Sequence, residues 1–384
     1  MIQKDIPYGQ QQIDEQDIAA VVEVLRSPWL TTGPKVAEFE DKLCHYVAAD
    51  HGVAVNSGTA ALHTSLSAIG IKPGDEVIVP AITFVATANA VIYCGGKPVF
   101  SDVLPDTLLI DPEQVRKKIS SKTKAILAVD YAGQPCDYYK LQEISEEFGL
   151  YLIADSCHAL GAGYDGKPVG SIADITVFSF HPVKHITTGE GGMAVTNNPV
   201  IAERMRAFRN HGMVTDHHAR RKNGTWHYEI HELGFNYRMS DIQCALGISQ
   251  LDKATQWVRR RQEIAAVYDA GFSALPGVSP LTVGPNIEHA YHLYVLTIDK
   301  EKPAAKRADL FKGLAKRGIR AAVHYFPVHL QPLYQRRYQT NRGDCPVAEQ
   351  MYEKIISLPM FPALSSADIE KVTEAVSDLM VNKL

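Results

Sequence analysis

Phe178-Ser179-Phe180-His181-Pro182-Val183-Lys184-His185-Ile186-Thr187-Thr188-Gly189-Glu190-Gly191-Gly192 decides how the chain is read. Residues 175–180 mix β-branched, aromatic and small side chains, which predicts a strand. Pro182 cannot donate to a sheet and ends it. A Thr/Gly-rich loop carrying one lysine follows, and 193–196 predicts a second short strand. A lysine held between two buried strands loses hydration, which lowers its pKa and exposes a nucleophilic amine. Amines of that kind form Schiff bases with carbonyls. A solvated loop lysine is the plainer reading, and the rest of the chain has to decide between the two.

Working outward, apolar runs at 76–80, 98–100, 125–129 and 151–154 alternate with helical segments near 112–120 and 138–148. That alternation predicts an α/β fold with a mostly parallel sheet flanked by helices. Ligands of such sheets sit at the carboxyl ends of the strands. Residues 52–56 predict a strand that runs into Ser57-Gly58-Thr59-Ala60, the start of a helix to about 69. Free N–H groups at that turn suit a phosphate, with a Ser57 or Thr59 hydroxyl to help; plain capping by Ser57 is the alternative. Phe84 opens the next helix, as core or as a ring that stacks on a flat ligand. Asp155 ends an apolar strand, where a carboxylate needs a donor or acts as an N-cap. A protonated pyridine nitrogen is one such donor. His158, three residues on, reaches either a ring hydroxyl or Asp155 itself.

Helices are expected at 14–27 (with Ile18, Val21, Val22 and Leu25 on its apolar face), 36–47 and 201–209, and as one long helix over 242–275. Beyond it, strands at 292–296 and 321–325 and helices near 307–317, 346–356 and 366–382 predict a smaller α/β unit. The boundary falls near residue 250, giving a large domain of 1–250 and a small one of 251–384. His217, His218, Arg220, Arg221 and Lys222 read as a solvated basic run.

The balance of 39 basic and 43 acidic side chains gives no nucleic-acid or anionic-membrane footprint. No apolar run approaches the roughly 18 residues that span a bilayer. The polar N-terminus has no signal-peptide core, and six cysteines without CxxC pairing predict reduced thiols in a cytoplasmic protein. No metal site is expected. Gly58-Thr59-Ala60, Phe84, Asp155, Ser179 and Lys184 together are the groups that pyridoxal 5'-phosphate needs.

Six stretches carry a family resemblance: Trp29-Leu30-Thr31-Thr32-Gly33-Pro34, NSGTAAL (56–62), TFVATANA (83–90), ADSCHALGA (154–162), the lysine stretch (178–192) and GFNYRMSDIQCALG (234–247). They span most of the chain, which resembles the sugar aminotransferases of the DegT/DnrJ/EryC1/StrS type. The resemblance implies the aspartate aminotransferase-like fold, fold type I of the PLP-dependent transferases. It implies Lys184 as the Schiff-base lysine, Asp155 as the pyridinium partner, Phe84 as the stacked aromatic, and Gly58, Thr59 and Ser179 on the phosphate. His158 stands where the family often has Gln, near the ring oxygen. Asn236 would reach the cofactor of a neighbouring subunit, which implies a homodimer with shared sites. Tyr8, the loop of Pro28, Trp29, Leu30 and Thr31, and the segment Ala322, Val323, His324 and Tyr325 resemble nucleotide-sugar contacts.

VDYAGQPCD (129–137) and the lysine stretch look most like the branch of the family that works in pseudaminic acid biosynthesis. The expected reaction moves an amino group from L-glutamate to C4 of a UDP-linked 4-keto-6-deoxy-N-acetylhexosamine. The product would be UDP-4-amino-4,6-dideoxy-N-acetyl-β-L-altrosamine. The alternatives are amination of a dTDP- or GDP-linked 4-keto-sugar, a PLP-dependent sugar dehydratase (in which a histidine replaces the lysine) and a non-catalytic PLP-binding regulator.

Overall fold

The computed structural model describes residues 5–213, 224, 226–299 and 306–381. The basic run at 217–222 lies outside the described residues. Seven strands form the central sheet: β1 (His51–Val55), β2 (Glu76–Pro80), β3 (Lys97–Ser101), β4 (Thr123–Val129), β5 (Tyr151–Asp155), β6 (Ile175–Ser179) and β7 (Gly192–Thr196). Their order is β1-β7-β6-β5-β4-β2-β3. β3, β2, β4, β5 and β6 run parallel, while β7 is antiparallel to both β6 and β1. The sheet interior is apolar on both faces, as an α/β sheet requires, with Val77, Ile78, Ile126, Leu127 and Ile153 fully buried.

Helices α1 (Glu15–Arg26), α2 (Pro34–Val47), α3 (Gly58–Ala68), α4 (Val85–Tyr93), α5 (Pro112–Lys118), α6 (Tyr138–Phe148) and α7 (Pro199–Phe208) accompany the sheet. Asp14 caps α1 in a capping box with Asp17. The apolar face expected of α1 is only partly covered: Val21 and Val22 are half-buried, Ile18 is 47% and Leu25 55% exposed, and Val24 and Asp17 are the buried positions. Asp17 accepts from Ser249 Oγ (2.6 Å), Gln250 Nε2 (2.7 Å) and Lys253 Nζ (3.0 Å), so polar bonds replace apolar contact as the anchor of α1.

Those same bonds explain why the long helix expected over 242–275 is two helices, α8 (Asp241–Leu251) and α9 (Ala254–Phe272). Lys253 sits at the break and is paired with both Asp14 and Asp17. A three-stranded antiparallel sheet follows, with β8 (Val278–Pro280), β9 (Tyr294–Ile298) and β10 (Ile355–Leu358) in the order β8-β9-β10. Around it lie α10 (Arg307–Lys316), α11 (Pro332–Tyr338), α12 (Pro346–Tyr352) and α13 (Ser366–Val381). A second apolar cluster joins Tyr268, Phe272, Leu296, Leu314, Ile356 and Val376. The helix expected over 346–356 therefore stops early, because buried Ile355, Ile356 and Leu358 pair with β9 instead.

Residues 321–325 form no strand. Ala322 makes one isolated bridge to Ser357, and the chain then turns so that the His324 carbonyl accepts from Tyr131 Oη rather than from a neighbouring strand.

Asp241 is fully buried and accepts from Gly33 N (2.7 Å) and Lys35 N (2.9 Å), pinning the loop before α2 to the start of α8. Replacing it removes both bonds and leaves the two donors unmet. Asp241→Ala is expected to lower stability by about 3 kcal/mol. The urea unfolding midpoint should fall accordingly, and an unchanged midpoint would reject the role.

Candidate active site

The site is assembled at the carboxyl ends of β5 and β6 and the N-terminus of α3. Ser57 caps α3 by accepting from Ala60 N (3.1 Å), so its hydroxyl serves the helix. The cap does not take the N–H groups of Gly58 and Thr59, which stand in the first turn, where the helix dipole favours an anion. A Cβ on Gly58 would lie 2.9 Å from Ser179 Cβ and 3.2 Å from Ser179 Oγ, so the bare glycine brings α3 hard against the end of β6. Gly192 on β7 is equally close to Ser57 and Gly58.

Asp155 ends β5 and is buried. Its Oδ2 accepts from Thr87 Oγ1 (2.7 Å) and its Oδ1 from Cys157 N (3.3 Å). Thr87 bonds in turn to Thr83 (2.7 Å), one helical turn back. His158 does not bond Asp155. Its Nε2 lies 3.2 Å from Tyr325 Oη, and its Nδ1 is buried without a partner among the described residues. Burial and the nearby Lys184 charge hold His158 well below the usual histidine range, so the ring is neutral.

Lys184 follows β6 on the loop that sequence reasoning singled out. Burial lowers its pKa; Cys157 and Asp155 oppose that, and Arg261 adds to it. Its Nζ lies 3.4 Å from His292 Nε2. Phe84 is not core: it is 55% exposed at the entrance of α4, its ring 6.1 Å from that of Tyr325. Tyr8 packs its ring 5.7 Å from His324, and the His324 Nδ1 lies 2.8 Å from Ser357 Oγ. Burial pushes the Tyr325 hydroxyl well above the usual tyrosine range, so it stays protonated.

Lys184, Asp155, His158, Gly58, Thr59, Ser179, Phe84, Tyr8, His324 and Tyr325 thus converge on one region. Two predicted segments lie apart from it, the 28–31 loop and Asn236, and a third, Ala322 and Val323, borders it. The loop of Pro28, Trp29, Leu30 and Thr31 is anchored at α8, where Leu30 O accepts from Asp241 N (3.0 Å) and Thr31 bridges Ser240. Ala322 and Val323 lead into the site, but Ala322 is tied to Ser357. Asn236 is exposed and bridges Asn210. Sequence reasoning missed Thr87, Asp130, Tyr131, His292 and Arg261. Only Thr87 carried a local signal, a hydroxyl one turn after Thr83 at a helix start.

A desolvated amine, a buried carboxylate, a helix N-terminus and an exposed aromatic brought together are the donor set for a flat, phosphorylated heterocycle. The model of the DegT/DnrJ/EryC1/StrS aminotransferase family matches residues 11–377. The chain is 40% identical over 385 residues to the spore coat polysaccharide biosynthesis protein SpsC of Bacillus subtilis, covering 99% of each. Helicobacter pylori PseC, an aminotransferase involved in the biosynthesis of pseudoaminic acid, superposes with a TM-score of 0.92 at 36% identity, over 98% of this chain and 99% of that one. Spr1654 of Streptococcus pneumoniae, in its PMP form, gives 0.92 at 35% identity over 99% and 100%. A PLP form of Spr1654 gives 0.91 at 34%, over 99% and 100%. With its mostly parallel sheet and the site at the strand ends, the chain belongs to the DegT/DnrJ/EryC1/StrS aminotransferase family.

Proposed function

We propose that this sugar aminotransferase carries an amino group from L-glutamate to C4 of a UDP-linked 4-keto-6-deoxy-N-acetylhexosamine, giving UDP-4-amino-4,6-dideoxy-N-acetyl-β-L-altrosamine for pseudaminic acid. The observation that carries the substrate is the likeness to PseC along nearly the whole chain. The likeness to SpsC supports a second reading, amination of a dTDP- or GDP-linked 4-keto-sugar for another polysaccharide.

The cofactor is pyridoxal 5'-phosphate, which when bound supplies an electron sink for the electrons of a substrate Cα–H bond. The cradle fits it. Gly58, Thr59 and Ser179 would hold the phosphate, Phe84 would cover the ring and His158 would stand near the ring oxygen. Asp155, fixed in place by Thr87, would pair with the ring nitrogen and favour its charged form. Lys184 would be the linking lysine, and its amine, whose pKa burial lowers, would take and return the substrate proton. Tyr8, His324 and Tyr325 line the sugar side, with Ala322 and Val323 leading into it.

The 28–31 loop and Asn236 serve a neighbouring subunit in a homodimer. Exposed apolar side chains in the same stretch of chain support this: Leu233 is 82% exposed in the single chain and Phe235, next to Asn236, is 37% exposed. Six free cysteines support a reducing, cytoplasmic setting.

Behind Asp155 stands Asp130, fully buried, accepting from Ser156 Oγ (2.6 Å), Tyr138 Oη (2.8 Å) and Cys136 N (2.9 Å). Burial pushes its pKa up to about 6 against those bonds, and the Asp155 charge adds to the rise. A carboxyl whose pKa rises on folding favours the fold at acid pH and opposes it once ionised. Its contribution therefore falls as pH climbs from about 4 towards 6.

Three outcomes follow from these assignments. Lys184→Ala is expected to abolish turnover together with the visible absorbance of the bound cofactor, and survival of both would sink the assignment. Mass spectrometry of products from UDP-, dTDP- and GDP-4-keto-sugars with glutamate should show amination of the UDP-linked sugar; conversion of a dTDP- or GDP-linked sugar alone would select the second reading. Asp130→Asn should gain about 2 kcal/mol relative to the native chain between pH 4 and pH 7.5. Parallel urea midpoints measure it, and a constant difference would contradict the direction given for Asp130.

A further inference from the structure

Five buried side-chain nitrogens without a hydrogen-bond partner among the described residues belong to one cluster: Nδ1 of His158, of His185 and of His292, and Nε and Nη2 of Arg261. The His292 ring is its centre, 4.3 Å from the His158 ring and 5.7 Å from the His185 ring. It is also the imidazole that meets Lys184 Nζ, at 3.4 Å. Resting on the assignment of Lys184 above, we propose that His292 is the positioning residue of this enzyme, holding the detached lysine amine by accepting one of its N–H groups at Nε2.

The chemistry of the pair supports this. A neutral amine has two N–H groups and one lone pair. Giving an N–H to an imidazole nitrogen fixes the amine and leaves the lone pair free for a carbonyl or a substrate proton. For Nε2 to accept, the ring hydrogen must sit on Nδ1 and the ring must be neutral. Burial and the facing Lys184, His158, His185 and Arg261 all disfavour an imidazolium there.

The backbone that carries His292 is fixed from several sides. Arg261, fully buried in α9, donates from Nη1 to Met360 O (2.9 Å), Tyr291 O (3.2 Å) and His292 O (3.4 Å). Ala290 N donates to Gly133 O (2.9 Å) and Leu293 N to Ala132 O (3.1 Å). Gly133 has φ +103°, and a Cβ there would lie 2.8 Å from His158 O and Tyr291 N and 2.9 Å from His292 N. The ring is thus aimed by its own main chain, and it carries that aim to the lysine.

The test measures capture rather than turnover. The cofactor is removed from the full-length protein, pyridoxal phosphate is added back, and borohydride trapping with peptide mass spectrometry times its attachment to Lys184. His292→Leu should capture about 100-fold more slowly than native, and His292→Gln, which keeps an acceptor, should recover to within about tenfold. Equal rates for native and Leu, or equal slowing for Leu and Gln, would overturn the positioning role. If the native protein itself fails to attach the cofactor at Lys184, the lysine assignment falls and the inference with it. Should the Leu variant not fold, 15N-histidine NMR of the native protein decides, with the His292 signal identified by its loss in His292→Gln. A neutral ring with its hydrogen on Nδ1 between about pH 6 and 9 supports the proposal, and a hydrogen on Nε2 rejects it.

Discussion

Taking an amine out of water costs solvation that only neighbouring groups can return, and the Lys184 site is built around that cost. The loop bearing Lys184 spans residues 180–191 and joins the adjacent, antiparallel β6 and β7. At the start of that loop Gly58 of α3 packs against Ser179 so closely that a Cβ would not fit. The balance of surrounding charge is mixed: Asp155 and Cys157 pull Lys184 towards the ammonium form, while burial and Arg261 push it away. Burial is the largest of these influences, and it shifts Lys184 towards the free amine.

Much of this was legible in short runs. A strand followed by small residues at a helix start, a carboxylate at a strand end and a lysine between strands each announce themselves within a few residues. Phe84 shows where composition left two readings open, since only its exposure separates a ligand-facing ring from core. His292 was unreadable because its partner lies 108 residues away, and within 289–294 it looks like any strand residue. Arg261 likewise hides on an amphipathic helix, where a charged side chain ordinarily faces solvent.

The misread elements share a cause: a long-range polar bond overrode local pattern. The β-rich composition of 321–325 predicts pairing, yet the Tyr131 hydroxyl takes the His324 carbonyl and turns the segment into the site. The helix expected over 242–275 breaks where Lys253 reaches two aspartates at the other end of the large unit. α1 has the apolar period of a packed helix but is tethered through Asp17, and its Ile18 and Leu25 remain outside. Side-chain bonds of this kind cannot be inferred from periodicity, because they depend on which distant residue the fold brings near.

The buried guanidinium of Arg261 has one mechanical consequence. It clamps the carbonyls of residues 291 and 292 and that of Met360, just beyond β10, onto a single rigid helix. Any rocking of the C-terminal helices against the large sheet would be transmitted, as through a crank, to the imidazole beside the reactive amine.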